Sequence, residues 1–323
     1  MTISRRLFLM TASLAALLPP AAAQEYPARP VTIVVPSAPG GTTDFSARLI
    51  SDHFSKLLNQ SFIVDNAGGA SGNIGNAKAA KAAPDGYTLL MAYSGYQVAN
   101  PHLFKSPGWD PLKSFVPVAL VIKAPHVAIA NKSLPVTDLK SFVAYAKANP
   151  GKVNYASSGL GSIQHIGGEQ LKQVAGIEMT HVPYRGAGPA LQDVLSGNID
   201  IFITTPPSAV GHVQAKSVIP LALAAKERHP ALPDVPTAVE QGLPGFELVA
   251  WFALYAPAGT PQPIIDKLAK AAQTAVASKE FIDKAASAGA YAAYLGPKEL
   301  DAFTKSELDY WGKVIKSANI TAE

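Results

Sequence analysis

The chain has 323 residues, no cysteine, and 27 basic against 23 acidic residues. The lack of cysteine excludes disulfides, thiol nucleophiles and thiolate metal sites. Lysine and arginine are scattered without a stripe or a tail, so the isoelectric point near 9.0 points to no nucleic-acid partner.

The first element is a leader. Ser4-Arg5-Arg6-Leu7-Phe8-Leu9 gives a basic start, an apolar run continues to Leu18, and Ala21-Ala22-Ala23 supplies small residues for cleavage before Gln24. The run is too short and wrongly flanked to anchor the protein, and no later segment approaches ~18 uninterrupted apolar residues. Residues 1–23 are therefore expected to be a signal peptide that directs the chain to the periplasm, with no membrane anchor after cleavage. The arginine pair fits a twin-arginine signal, and it equally fits the basic region of an ordinary one. Cleavage removes two basic residues and no acidic one, leaving 25 against 23 and a net charge of +2. The roughly 300 residues that remain exceed what one core usually organises, so two lobes are expected.

Val31–Val35 reads as a buried strand and Pro36–Thr43 as a Gly/Pro loop. Asp44–Leu58 carries apolar residues at helical spacing, at Phe45, Leu49, Ile50, Phe54, Leu57 and Leu58. Phe62–Val64 is the next strand, Gly75–Ala83 a helix ended by Pro84-Asp85-Gly86, and Tyr87–Ala92 another buried strand. This βαβαβ order is half of a doubly wound sheet. The plan then repeats. Val127–Ala130, Val153–Ala156, Met179–Pro183, Ile199–Ile203 and Leu221–Ala225 read as strands. Asp138–Asn149, Ile163–Val174 and Pro189–Ser196 read as the helices between them. Beyond Trp251–Ala256 come two helices, Pro261–Ser278 and Pro297–Ser317, a tail of the kind that returns to the first lobe. The fold class is thus α/β with two lobes, each a mostly parallel sheet flanked by helices, with a hinge and a cleft between them. The expected division is 24–124 for lobe 1, 125–248 for lobe 2, and 249–323 for the return.

Two loops occupy equivalent places, each leading from a buried strand into a helix. The first contains Ser37 and runs through Gly40, Gly41, Thr42 and Thr43; the second contains Ser157, Ser158, Gly161 and Ser162. Glycine lets the backbone approach a ligand, and the first N–H groups of a helix lack internal partners. The helix dipole adds about half a positive charge there, so such an end accepts an anion without a basic side chain. The plainer reading is a tight turn with Thr43 or Ser162 as N-cap. Asp44 reads as a capping acid, since a bare carboxylate would repel a bound anion.

Arg185 follows a strand end and precedes a helix, so it is either a bidentate carboxylate partner or a surface cation. His165, in the first turn of its helix, is an anion donor or a packing residue. Ser94 and Thr204, beside Thr205, stand at strand ends, where open α/β sheets place ligands. Tyr96 and Trp251-Phe252 form an aromatic wall or belong to the core. Enzyme signatures are missing: there is no G-x-S-x-G elbow, no zinc helix around His165 and no P-loop lysine. Neither catalysis, a metal nor a cofactor is expected.

Ordered blocks along the chain now carry a resemblance. They include Tyr26-Pro27, Pro39-Gly40-Gly41 with Asp44, Pro84-Asp85-Gly86-Tyr87-Thr88-Leu89, Asn100-Pro101 and Tyr155-Ala156-Ser157. They continue through His181-Val182-Pro183-Tyr184, Leu232-Pro233-Asp234-Val235-Pro236-Thr237, Gly242-Leu243-Pro244-Gly245, Trp251-Phe252 and Ala256-Pro257-Ala258-Gly259-Thr260-Pro261. From about Tyr26 to Ile320 the chain resembles the substrate-binding receptors of the tripartite tricarboxylate transporters, the Bug receptors. The resemblance implies a type II periplasmic binding fold, hinge closure, and a carboxylate held mainly by backbone groups of the loops Ser37–Thr43 and Ser157–Ser162. It implies as partners a small carboxylate, whether dicarboxylate, tricarboxylate or aromatic acid, and membrane permease subunits, with the receptor a monomer. One block departs. Where relatives show Glu-Asn-Arg-Pro-Gly-Ala-Gly-Gly, this chain has Asp65-Asn66-Ala67-Gly68-Gly69-Ala70-Ser71-Gly72, so no role of that arginine carries over. Two rivals remain: a solute-sensing receptor that docks on a sensor kinase, and a periplasmic enzyme on the same fold.

Overall fold

A computed structural model describes residues 25–317 and residue 320. The expected leader, with its two export readings, lies outside the described residues. The first βαβαβ unit is built from β1 (Val31–Val35), α1 (Thr42–Leu58), β2 (Phe62–Asn66), α2 (Asn73–Ala80) and β3 (Thr88–Tyr93). β1 is β-branched along its whole length and lies parallel between β2 and β3. α1 buries Leu49, Ile50 and Phe54 on the face turned to the sheet and ends at Asn59, whose left-handed backbone closes the helix. After β3 comes a π-helical turn, Gly95–Ala99, which runs into α3 (Asn100–Leu103).

The strand β4 (Phe115–Ala130) ties the molecule together. Its first part, through Pro125, pairs antiparallel with β9 (Val249–Pro257), and from His126 onward it pairs with β8 (Ile219–Ala224) and β7 (Ile201–Thr204). Pro125 lacks an N–H, so the ladder changes partners where one donor is absent in any case. The second unit hangs from this end: α4 (Leu139–Ala148), β5 (Asn154–Ser157), α5 (Ile163–Ala175), β6 (Thr180–Pro183), α6 (Ala187–Leu195), β7, α7 (Pro206–Gln214) and β8. β5 lies parallel between β6 and β7. β9 then re-enters the first lobe between β3 and β4. α8 (Gln262–Val276), α9 (Lys279–Ser287), β10 (Tyr291–Leu295) and α10 (Pro297–Ser317) complete that lobe, with β10 antiparallel on β4.

The sheets are mixed rather than purely parallel. Each βαβ core is parallel, and the strands that cross between lobes or return from the tail join it antiparallel. Trp251 and Tyr255 of β9 fix α10 to the first lobe: the indole donates to Glu307 Oε2 at 2.9 Å, and the Tyr255 hydroxyl meets Thr304 Oγ1 at 2.6 Å. A second apolar cluster, around Ile129, Leu191, Phe202 and Leu223, fills one face of the other lobe. Among the described residues no helix is long and apolar enough to cross a membrane.

Candidate ligand site

The loop after β1 delivers α1 with its N-terminus open. Gly41 is the N-cap and no side chain caps the helix, so the first-turn amides are left to an outside acceptor. Asp44 does not face that opening. Its Oδ2 accepts from Gly40 N at 3.2 Å and from Arg48 Nε at 3.1 Å, and its Oδ1 accepts from Asn66 Nδ2 at 3.1 Å. The carboxylate therefore shapes the loop and is neutralised by Arg48 beside it. Asn66 also donates to Ser37 O, and the buried Ser37 hydroxyl has no hydrogen-bond partner among the described residues.

The loop after β5 is arranged differently. Ser162 caps its own helix by accepting from His165 N at 3.3 Å, and Ile163 N donates to the Tyr93 hydroxyl at 3.2 Å. The α5 terminus thus has its donors taken within the protein. Ser157 Oγ lies 2.6 Å from His181 Nε2 and donates to Gly159 O, while His165 Nδ1 accepts from Gly161 N. The two imidazoles stack with centroids 4.1 Å apart. Burial, His165 and Lys172 together push His181 down to about 3, so it is neutral at physiological pH. Ser157, Gly161, Ser162 and His165 therefore brace the loop, and Ser158 is the residue it sends into the cavity.

An uncapped N-terminus in the second lobe does exist, at α6. Its N-cap is Gly186, again without a side-chain cap, and Ala187 lies at the cavity wall. Arg185 just before it is exposed, and it contributes its backbone: Ala38 N donates to Arg185 O at 3.0 Å. At the end of β7, Thr204 is fully buried and its hydroxyl has no hydrogen-bond partner among the described residues, whereas Thr205 lines the cavity. Ser94 Oγ accepts from Trp251 N at 3.2 Å and is likewise a supporting residue.

These parts surround a small cavity of about 20 Å³ between the lobes, room for a water molecule or so. The lining falls into two groups by its contacts. One is Ser37, Gly41, Thr42 and Thr43 with Ala187 and Thr205; the other is Tyr93, Tyr96 and Phe252 with Ser158 and Gln164. Among the described residues none that lines it is charged. Each group is tied across the lobes. Thr42 Oγ1 stands 2.6 Å from Thr205 Oγ1 and 3.1 Å from Ser208 Oγ, and the Tyr96 hydroxyl donates to Ser158 O at 2.7 Å. Glycines allow the approach: a Cβ on Gly41 would stand 3.2 Å from Ala187 Cβ, and one on Gly40 3.6 Å from Gly188 Cα.

Residues 46–320 match the model of the tripartite tricarboxylate transporter family receptor. The chain belongs to this family. Among solved structures, the periplasmic binding protein BugD is 35% identical, covers 92% of this chain and 99% of its own, and superposes with a TM-score of 0.88. Rpa4515 of R. palustris, solved with adipate, is 36% identical over 92% of this chain and 99% of its own, with a TM-score of 0.89. MatC (Rpa3494) of Rhodopseudomonas palustris, solved with bound malate, is 37% identical over 90% of this chain and 100% of its own, with a TM-score of 0.84. Both the Bug resemblance and the two-lobed periplasmic binding fold expected from the sequence are borne out.

As a Bug-family receptor the chain has a cleft whose two walls come from different places than the matched loops alone suggest. The α1 loop faces the α6 and α7 termini, and the β5–α5 loop faces the aromatic residues of the first lobe. Tyr96 and Phe252 are both wall and core: each is almost wholly buried and each lines the cavity. Trp251 turns the other way, toward α10. Tyr93, Gln164 and Ala187 carry no local motif, and only their contacts across the lobes reveal them.

Proposed function

We propose that this protein is an extracytoplasmic solute receptor whose two lobes close on one small carboxylate, which it presents to the membrane subunits of a tripartite tricarboxylate transporter. One observation carries the reading. Two helix N-termini without side-chain caps, α1 from one lobe and α6 from the other, end at one cavity, and among the described residues no charged side chain lines it. Such an arrangement suits an anion held by backbone N–H groups and hydroxyls. The adipate and malate bound by Rpa4515 and MatC favour a dicarboxylate.

Within this reading Gly41, Thr42, Thr43, Ser37 and Ser158 contact the ligand. Gly40 and Gly161 shape the two loops, and Arg185 acts through its carbonyl. The lobes divide at Pro125–His126 and Leu248–Val249, where β4 changes partners and the chain returns; these two crossings are the hinge. The receptor works as a monomer in the periplasm once its leader is removed. A thermal-shift screen with succinate, glutarate, adipate, malate, citrate, benzoate and terephthalate tests this. An acid at about 100 times its dissociation constant adds roughly 2.7 kcal/mol to stability and raises the melting temperature. No shift with any of these acids would contradict the reading.

A further inference from the structure

Gln164 is the second residue of α5 and lines the cavity, with only 4% of its surface exposed. Its partner is Tyr93, from the other lobe, whose hydroxyl stands 3.4 Å from Oε1. The same hydroxyl accepts from Ile163 N at 3.2 Å, so one of its lone pairs is engaged. A buried phenol also has one proton to place, and Gln164 Oε1 is the acceptor within reach. The opposite amide orientation would leave that proton unsatisfied. Tyr93 therefore turns the carboxamide so that Oε1 faces the hydroxyl and both Nε2 protons are left over. Among the described residues Nε2 makes no hydrogen bond, and it is not one of the fully buried polar atoms left without a partner, so its two donors remain open to the cavity that Gln164 lines.

Tyr93 is itself held in place. It stacks on Phe252 with centroids 5.6 Å apart and meets Tyr96 edge to face at 5.0 Å. Gln164 is thus presented by a rigid aromatic group, whereas Gly41, Thr42, Ala187 and Thr205 line the same cavity through their own contacts.

We propose that Gln164, positioned by Tyr93, reads the far end of the ligand by donating through Nε2 to a second carboxylate, and so selects diacids over monoacids of equal length. The inference rests on the receptor reading above: the first carboxylate is held at the α1 and α6 termini, and Gln164 decides what the other end must be. Its neutrality matters. A lysine or arginine would hold the second charge more strongly but would have to be desolvated with it, whereas a neutral carboxamide supplies directed donors without a second buried charge. Tyr93 also ties the lobes, so Gln164 is presented correctly only in the closed form.

The test uses the mature full chain and isothermal calorimetry with length-matched pairs: succinate and butyrate, glutarate and valerate, adipate and hexanoate. The wild-type protein is expected to prefer the diacid of at least one pair by about tenfold or more, the usual effect of one hydrogen bond to a charged group. Gln164→Leu and Gln164→Glu should weaken that diacid while leaving the monoacid near its wild-type affinity, so that the preference collapses. Tyr93→Phe should reduce the preference in part, because Nε2 remains but is no longer oriented. Circular dichroism melting of each variant shows whether it is folded, and the diacid-to-monoacid ratio is insensitive to a general loss of stability. A preference that survives in both Gln164 variants, or a wild-type protein that binds diacid and monoacid equally, would overturn the inference and leave the receptor reading standing. Binding of none of the six acids would remove both.

Discussion

Gly188 is the second residue of α6, and a Cβ there would stand well inside contact distance of Pro39 O in the other lobe. The clash is with backbone, so no rotamer change relieves it. Within its own lobe the position is helical, where alanine is favoured over glycine by roughly 0.5–1 kcal/mol. Gly188→Ala is therefore expected to leave the ligand-free protein as stable as the wild type and to weaken ligand binding at least several-fold, by obstructing closure. Calorimetry with the best acid from the thermal screen checks this, and equal affinity would show that the lobes need not meet at Pro39. His126 is the residue whose acid sensitivity is easiest to read. It is fully buried, its Nδ1 lies 3.1 Å from Leu248 O at the crossing, and burial lowers its pKa from 6.5 to about 4. The folded state thus refuses a proton that the unfolded chain accepts. Its contribution to stability is complete above about pH 6.5 and is lost as pH falls toward about 4, with a slope of up to about 1.4 kcal/mol per pH unit. Urea unfolding of His126→Gln should show a shallower loss over that window than the wild type. Neither residue's role was legible in the sequence. Gly188 carries no local signal, because what it touches lies about 150 residues away in the chain.

The elements divide along the same line. β1, α1, β5 and α5 were legible because their apolar spacing is local, and their observed bounds lie within two residues of the expected ones. Phe115–His126 escaped notice as strand because Pro117 and Pro125 punctuate it; in the fold Pro117 sits at a register shift and Pro125 at the change of partners. α7 begins Pro206-Pro207, which reads as a stop and serves as a start, since the first helical residues need no N–H partner. α9 and β10 are short and only half buried, so their pattern is weak. The two glycine loops were legible, and their pairing was not. Nothing local distinguishes α5, which is capped by Ser162 and Tyr93, from α6, which is not. The tie between α1 and α7 gives the element-scale prediction. Thr42→Val keeps the shape of Thr42 and removes the hydroxyl that meets Thr205 and Ser208, leaving those groups to each other. The closed form should lose about 1 kcal/mol, seen as roughly five-fold weaker binding in calorimetry. Unchanged affinity would mean that the hydroxyl cluster is a bystander to closure.

At the scale of the molecule, two lobes joined by the strand crossings near Pro125 and Leu248 meet over a cavity whose donors come from both sides. Neither lobe alone completes the site: the α1 terminus lacks Ala187 and Thr205, and Gln164 lacks the tyrosine that orients it. A ligand that needs both therefore binds the closed form better than the open one, and it shifts the balance only by that difference in affinity. Hinge closure around a ligand is the general behaviour of periplasmic binding proteins. The carboxylate receptor proposed here should show it with the acid that spans both groups of lining residues. Small-angle X-ray scattering, with and without that acid at saturation, is the most direct measurement. The radius of gyration is expected to fall on binding. A radius that stays the same while calorimetry shows the acid bound would contradict it.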